Sequence, residues 1–201
     1  MTEDIKNVKQ STVIQLKRLV AEGSDRQCWH HPDNPALCIK VQKPGWLRPQ
    51  NRIEWHYARY LQRRKIKSQY IALPIKMVET NLGVGLVYPL IHDNNGQPSL
   101  PLDEALKRKT ITPSQARRLI KQTFAWLEKH RVLFADYSLD NMVVKNHGNE
   151  RYTLVIVDGL GARNFNINYF INLRLPYKAV IKAREFRNKA LAAVKWYENI
   201  A

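Results

Sequence analysis

From about Thr12 to Ile91 short apolar runs alternate with turn signals, and beyond a polar connector the apolar period becomes helical. This change of period constrains the fold most, because one apolar pattern cannot serve both a strand and a helix. The strand-like runs include Val13-Ile14-Gln15-Leu16, Leu37-Cys38-Ile39-Lys40-Val41 and Gly85-Leu86-Val87-Tyr88. Glu22-Gly23-Ser24-Asp25 and Pro32-Asp33-Asn34-Pro35 mark turns between them. Arg52 to Arg64 is the one helical interruption, with Ile53, Tyr57, Tyr60 and Leu61 at helical spacing.

The connector is His92-Asp93-Asn94-Asn95-Gly96-Gln97-Pro98. After it, Leu102 to Lys109 predicts a short helix. Thr112-Pro113-Ser114-Gln115 predicts an N-cap with proline in the first turn, opening a helix to about His130 with Leu119, Phe124 and Leu127 on its apolar face. Asn141-Met142-Val143-Val144 and Tyr152 to Val157 predict a hairpin turning at Asn146-His147-Gly148-Asn149, and Tyr169 to Ala201 carries a basic, aromatic helical pattern. The expectation is an α+β fold of two lobes with a cleft between them: residues 1–91 form a β-rich first lobe with one main helix, and residues 92–201 a short, mostly helical second lobe of the same domain.

At 201 residues the chain can bury one core. Its formal charge of +16 calls for an anionic partner: nucleic acid, a phosphorylated sugar or lipid, or an acidic membrane surface. Two cysteines, Cys28 and Cys38, make no disulfide framework. The acidic start Met1-Thr2-Glu3-Asp4 has no apolar run behind it, and no stretch approaches the ~20 apolar residues of a membrane span. A cytoplasmic protein with reduced thiols is expected.

Chemistry concentrates in Phe134 to Asp158. Asp136 and Asn141 lie between the long helix and the hairpin, and Val155-Ile156-Val157-Asp158-Gly159 ends the hairpin. Phosphoryl transfer needs a carboxylate at the attacking hydroxyl and oxygen ligands holding Mg²⁺ against phosphates. These three residues supply such groups in order, although each motif alone is also an ordinary turn. In the first lobe, Lys40 ends an apolar strand, where a lysine is either solvated or directed at a ligand. Glu54 on the following helix could pair with it, and the loop around Gly23 is either a plain hairpin turn or a phosphate cover.

Lys40, Glu54, Asp136 with Asn141, and Asp158-Gly159 together resemble the protein-kinase residue set in its proper order. More narrowly, four stretches are similar to the bacterial YrbL family, also called the PhoP regulatory network protein family. They are Gln27 to Pro32 leading to Cys38-Ile39-Lys40-Val41, Glu54 to Leu61, Val78 to Tyr88, and Ser138 to Asn141, within a similarity from about Ile14 to Arg163. The resemblance implies a protein-kinase-like fold using ATP and Mg²⁺. Gly23 and its neighbours would cover the phosphates, Lys40 would contact them while held by Glu54, and Leu90 and Ile91 of the Tyr88-Pro89-Leu90-Ile91 hinge would meet adenine. Asp136 would orient or deprotonate the acceptor hydroxyl; Asn141 and Asp158 would hold the metal.

The departures are specific. Ala21 stands where a first loop glycine is expected, Phe134-Ala135 precede Asp136 in place of His-Arg, Ser138 replaces a lysine, and Leu160 follows Asp158-Gly159. The region after Asp158 is short and lacks an Ala-Pro-Glu-like anchor, which argues for a small-molecule, sugar or lipid-linked acceptor over a peptide. Ser138 and the thin glycine loop also admit a pseudokinase that binds nucleotide without useful turnover.

Basic clusters at Lys107-Arg108-Lys109, Arg117-Arg118 with Lys121, and Lys178, Lys182, Arg184, Arg187 and Lys189 are either solvated surface or a dock for an anionic acceptor or acidic membrane. Nucleic acid is disfavoured as a partner, because it would explain the charge but not the kinase-ordered residues. The six histidines have no metal-site spacing, and Trp46, Trp55, Trp126 and Trp196 are expected in the core.

Overall fold

The computed structural model describes residues 13–45, 49–161 and 177–198. The first half forms a five-stranded antiparallel sheet in the order β1-β2-β3-β5-β4. Its strands are β1 (Leu19–Glu22), β2 (Arg26–His30), β3 (Leu37–Gln42), β4 (Lys76–Thr80) and β5 (Gly83–Pro89). Helix α1 (Gln50–Arg63) lies between β3 and β4 in the chain. The second half holds β6 (Leu100–Pro101), β7 (Met142–Asn146) and β8 (Tyr152–Ile156) in one small antiparallel sheet, with helices α2 (Leu102–Lys107), α3 (Pro113–His130) and α4 (Tyr177–Glu198). This is the α+β layout expected: a β-rich first half with one main helix and a mostly helical second half with an embedded hairpin.

Strand alternation divides the first sheet into two apolar faces. Ile39, Val41 and Val87 pack with Leu16 on one; Cys38, Leu86 and Tyr88 pack on the other, with Cys28 and Trp55 against them. Segment Val13–Leu16, expected as a strand, joins the sheet only through a parallel bridge from Ile14 to Thr80. Asn81 takes the Leu16 amide at 2.8 Å, so the segment lies across the sheet as a cover and its apolar residues fill the outer face.

The expected N-cap at Thr112 with proline in the first turn is present, and the structure completes it into a capping box: the Thr112 hydroxyl accepts the Gln115 amide at 3.2 Å, and the Gln115 side chain accepts the Thr112 amide at 2.7 Å. Leu119, Phe124 and Leu127 are buried beneath α3. On α4 the buried residues Ala179, Ala183, Phe186, Ala190 and Val194 recur three or four apart, giving a narrow stripe that packs in the same core as α3. That core also takes Tyr57 and Leu61 from α1 and Ile66 and Ile71 from the loop behind it. The amides of Ala72 and Ile156 bond the carbonyls of Ile156 and Tyr70 at 2.9 Å each, so the two halves share apolar packing and backbone pairing.

Trp196 departs from expectation: it is 60% exposed, on the side of α4 opposite the stripe. Trp55 and Trp126 are half-buried, and Trp46 lies outside the described residues, as do the first twelve residues and 162–176.

Candidate active site

Three short segments carry the second-lobe residues, and backbone hydrogen bonds lace them together. Phe134 pairs with Leu160 in an isolated antiparallel bridge; the Ala135 amide bonds the Gly159 carbonyl at 2.8 Å, and the Gly161 amide bonds the Leu133 carbonyl at 2.9 Å. Asn141 ends a 3-10 turn (Leu139–Asn141), and its carbonyl accepts the Val157 amide at 2.9 Å. Asp136, Asn141 and Asp158 therefore come together through main chain. The Asp136 carboxylate accepts the Ser138 amide at 3.1 Å, which orients it. Phe134 and Tyr137 both rest on Phe186 of α4, with ring centroids at 6.1 and 5.4 Å, so the tail helix supports the Asp136 loop from below.

Glycine is required here at Gly159 and at Gly161, whose φ is +92° and whose added Cβ would lie 3.1 Å from Tyr57. Gly159 has φ +79°, and a Cβ there would lie 3.1 Å from both the Asp136 Cβ and a Phe134 ring carbon.

Lys40 reaches across from β3. Its Nζ donates to the Val157 carbonyl at 2.6 Å and to the Asp158 carboxylate at 3.1 Å, and sits 4.7 Å from the Tyr88 ring centroid. The expected Lys40–Glu54 pair is replaced. Glu54 binds Arg26 of β2, through Nη2 to Oε1 at 2.8 Å and Nη1 to Oε2 at 3.1 Å, and also accepts the Tyr88 hydroxyl. The reason is register. Arg26, Cys28 and Lys40 share the face of the sheet on which α1 lies, and the guanidinium fork of Arg26 matches a carboxylate better than an ammonium does.

Asn51, one turn before Glu54, accepts Arg26 Nη1 at 3.1 Å and donates to the carbonyl of Lys40 at 3.0 Å, fixing α1 to the sheet. Arg26 also donates Nη2 to Asp158. Arg26 was not legible as a site residue: one arginine after a turn has no motif, and its only signal is a charge on the apolar side of a strand.

The electrostatics follow from this cluster. Burial acts to raise the pKa of Asp158, but Lys40 and then Arg26 outweigh it and hold the carboxyl far below the ordinary range. Burial pushes the Tyr88 hydroxyl up, and Glu54 beside it adds to the effect. Burial likewise works against the Arg26 charge, yet Glu54 and Asp158 keep the guanidinium firmly protonated.

Elsewhere the expected site residues stand as follows. Gly23 sits in the β1–β2 turn, and its amide is committed to the Arg26 carbonyl at 2.9 Å. At the hinge the Leu90 amide is bonded to the Ala36 carbonyl and the Ile91 carbonyl to the Ser99 amide, both at 2.8 Å. A separate concavity of about 650 Å³, whose lining includes Val13, Ile14, Arg18, His30, His31 and Pro35, contains none of the expected site residues.

The basic clusters are largely answered by acids: Lys182 and Lys189 by Glu185, Arg184 and Arg187 by Glu128, Lys107 by Asp103, Arg108 by Glu104, and Arg117 by Glu198. Among the described residues no helix is long and apolar enough to cross a membrane.

Residues 14–190 match the family model described as PhoP regulatory network protein YrbL. The chain belongs to the YrbL family. Family relatives include the YrbL proteins of Escherichia coli strain K12 and Shigella flexneri, each 29% identical over 143 residues that cover 69% of this chain and 68% of the relative. Among solved structures, a double mutant of the Mycobacterium tuberculosis PknI kinase domain aligns with a TM-score of 0.46 and 12% identity, over 72% of this chain and 57% of that one. The family match spans both lobes, and therefore Arg26, Lys40, Glu54, Asp136, Asn141 and Asp158 together.

Proposed function

We propose that this YrbL-family chain is an ATP- and Mg²⁺-dependent phosphotransferase acting on a hydroxyl of a small-molecule, sugar or lipid-linked anionic acceptor. The observation that carries the reading is the joining of the Asp136 and Asp158 segments by the Ala135–Gly159 hydrogen bond, with Lys40 bound to Asp158 from the opposite lobe. The Asp158 carboxylate and the Asn141 amide oxygen are hard donors of the kind Mg²⁺ takes, and the neighbouring cations suit phosphate. Among the described residues no three His, Cys, Asp or Glu are grouped to hold a metal unaided. Mg²⁺ ordinarily completes its shell with phosphate oxygens and water.

In that chemistry bound Mg²⁺ would neutralise charge on the phosphates, held by Asn141 and Asp158. Asp136, oriented by the Ser138 amide, would take the proton of the acceptor hydroxyl as it attacks. Lys40 would hold phosphate oxygens in place, and the hinge would present the Leu90 carbonyl and Ile91 amide to adenine. Cytoplasmic residence belongs to the same reading, because that is where ATP and reduced thiols are found together.

A second reading, a nucleotide-binding regulatory module of a bacterial PhoP-type magnesium or stress response, is favoured by one observation. Asp158 is already engaged by Arg26 and Lys40, which competes with metal binding.

Thermal melting with ATP and Mg²⁺, paired with an ATPase assay on wild type, Asp136→Asn and Asp158→Ala, separates the two. A nucleotide-induced shift with hydrolysis that Asp136→Asn abolishes supports the phosphotransferase. A shift without hydrolysis in the wild type supports the regulatory module, and no shift at all rejects both.

A further inference from the structure

We propose that Arg26 is a second phosphate-binding cation beside Lys40, and that the pair lets the cleft take a nucleoside triphosphate without a divalent metal. The inference rests on the nucleotide-binding reading above and adds to it.

The guanidinium is held in a way that leaves one bond exchangeable. Nη1 donates to Asn51 and to Glu54 Oε2, and Nη2 donates to Glu54 Oε1. These three bonds fix its plane against α1. The fourth, from Nη2 to Asp158, points out of that cradle towards the second lobe. A phosphate oxygen replacing Asp158 would find the donor already oriented, with no side-chain reordering to oppose binding.

Asp158 is the member of the cluster built to yield. Its side chain is 31% exposed, against 5% for Arg26 and 9% for Lys40, so it covers the two cations from the open side. A carboxylate offers about four acceptor positions. Oδ1 already accepts Arg26 and the Gly159 amide, and Oδ2 accepts Lys40. A divalent ion docking there before nucleotide would meet two cations and a carboxylate with little acceptor capacity left. Phosphate, in contrast, is attracted by both cations.

The charge count leads the same way. Lys40, Glu54 and Asp158 alone sum to −1, which repels a polyanion unless a divalent ion compensates. With Arg26 the four side chains sum to zero, and Glu54 is occupied by Arg26 and Tyr88, away from the phosphate path.

Calorimetric titration of the full chain with ATP, in Mg²⁺ and separately in EDTA, tests this. Arg26→Lys keeps the charge but loses the fork, and the double variant Arg26→Met with Glu54→Gln removes both buried charges so that neither is stranded. The expected results are a wild-type Kd in EDTA within about tenfold of that in Mg²⁺, and a loss of about tenfold or more in EDTA for each Arg26 variant that circular dichroism shows folded. Asp158→Asn should bind ATP in EDTA no more weakly than wild type, since it removes the competitor for both cations.

Wild-type binding that vanishes in EDTA but persists in Mg²⁺ would overturn the inference and leave the nucleotide-binding reading standing. So would folded Arg26 variants that bind in EDTA like wild type. No ATP binding under either condition would overturn both.

Discussion

Arg26 and Glu54 form a two-pronged ion pair inside the protein, with side chains only 5% and 3% exposed and N–O distances of 2.8 and 3.1 Å. The pair joins β2 to α1, and Arg26 carries the connection on to Asp158 in the other lobe. It ties the orientation of α1 to the Asp158 loop.

Breaking one side of this pair should cost far more than removing both. Glu54→Ala takes both of its carboxylate oxygens from the buried Arg26 fork, leaving it Asn51 and Asp158, and should lower stability by about 3 kcal/mol. Arg26→Met combined with Glu54→Leu should cost much less than the sum of the single changes. Urea denaturation in a double-mutant cycle measures the coupling, and additive single effects would contradict the buried pair.

Asp158 should set part of the acid sensitivity. Its folded pKa lies below the ordinary 3.8, because Lys40 and Arg26 outweigh the effect of burial. As pH falls the unfolded chain takes up this proton first, so the stabilisation is complete well above 3.8 and is lost as pH drops towards the folded value. Asp158→Asn should therefore show a shallower stability loss below about pH 5 in urea melts. Parallel acid limbs for wild type and variant would count against the ion-pair assignment.

Gly159→Ala tests the close approach of the two second-lobe segments. The positive φ alone should cost about 1–2 kcal/mol, and the new methyl would press on Asp136 and Phe134 at 3.1 Å. Gly45→Ala is the matched control, with φ +78° and nothing within 4 Å of its added Cβ. The Gly159 change should be the more destabilising in thermal melts and should reduce any turnover; equal costs would mean that the contact does not constrain Asp136.

The two thiols should differ in reactivity. A hydrogen bond from Cys38 is the main cause of the lowered Cys28 pKa; Lys40 and Arg26 add to it, while burial opposes it. Cys38 is buried, and its bond to Cys28, with burial second, pushes its pKa up. Iodoacetamide should label Cys28 first, with mass spectrometry locating the adduct. Cys38→Ala should move the pH midpoint of that labelling upward, and an unchanged midpoint would remove Cys38 as the cause.

The sequence by itself determined the elements and the order of their chemistry. Apolar period separated strands from helices, Thr112 with Pro113 marked the start of α3, and Asp136, Asn141 and Asp158 flank the hairpin in chain order. Such features depend on neighbours a few residues apart, so they are legible one segment at a time.

Tertiary structure decided which cation answers Glu54. Strand alternation places Arg26 and Lys40 on one face, but the packing of α1 against β3 and β5 brings Glu54 to the fork of Arg26, while Lys40 goes to Asp158. It also decided that Val13–Leu16 covers the sheet and that Trp196 faces solvent, because an apolar run does not specify which surface it will meet. The Arg26–Asp158 contact spans 132 residues, and no local pattern encodes a contact made only when two lobes close on one another.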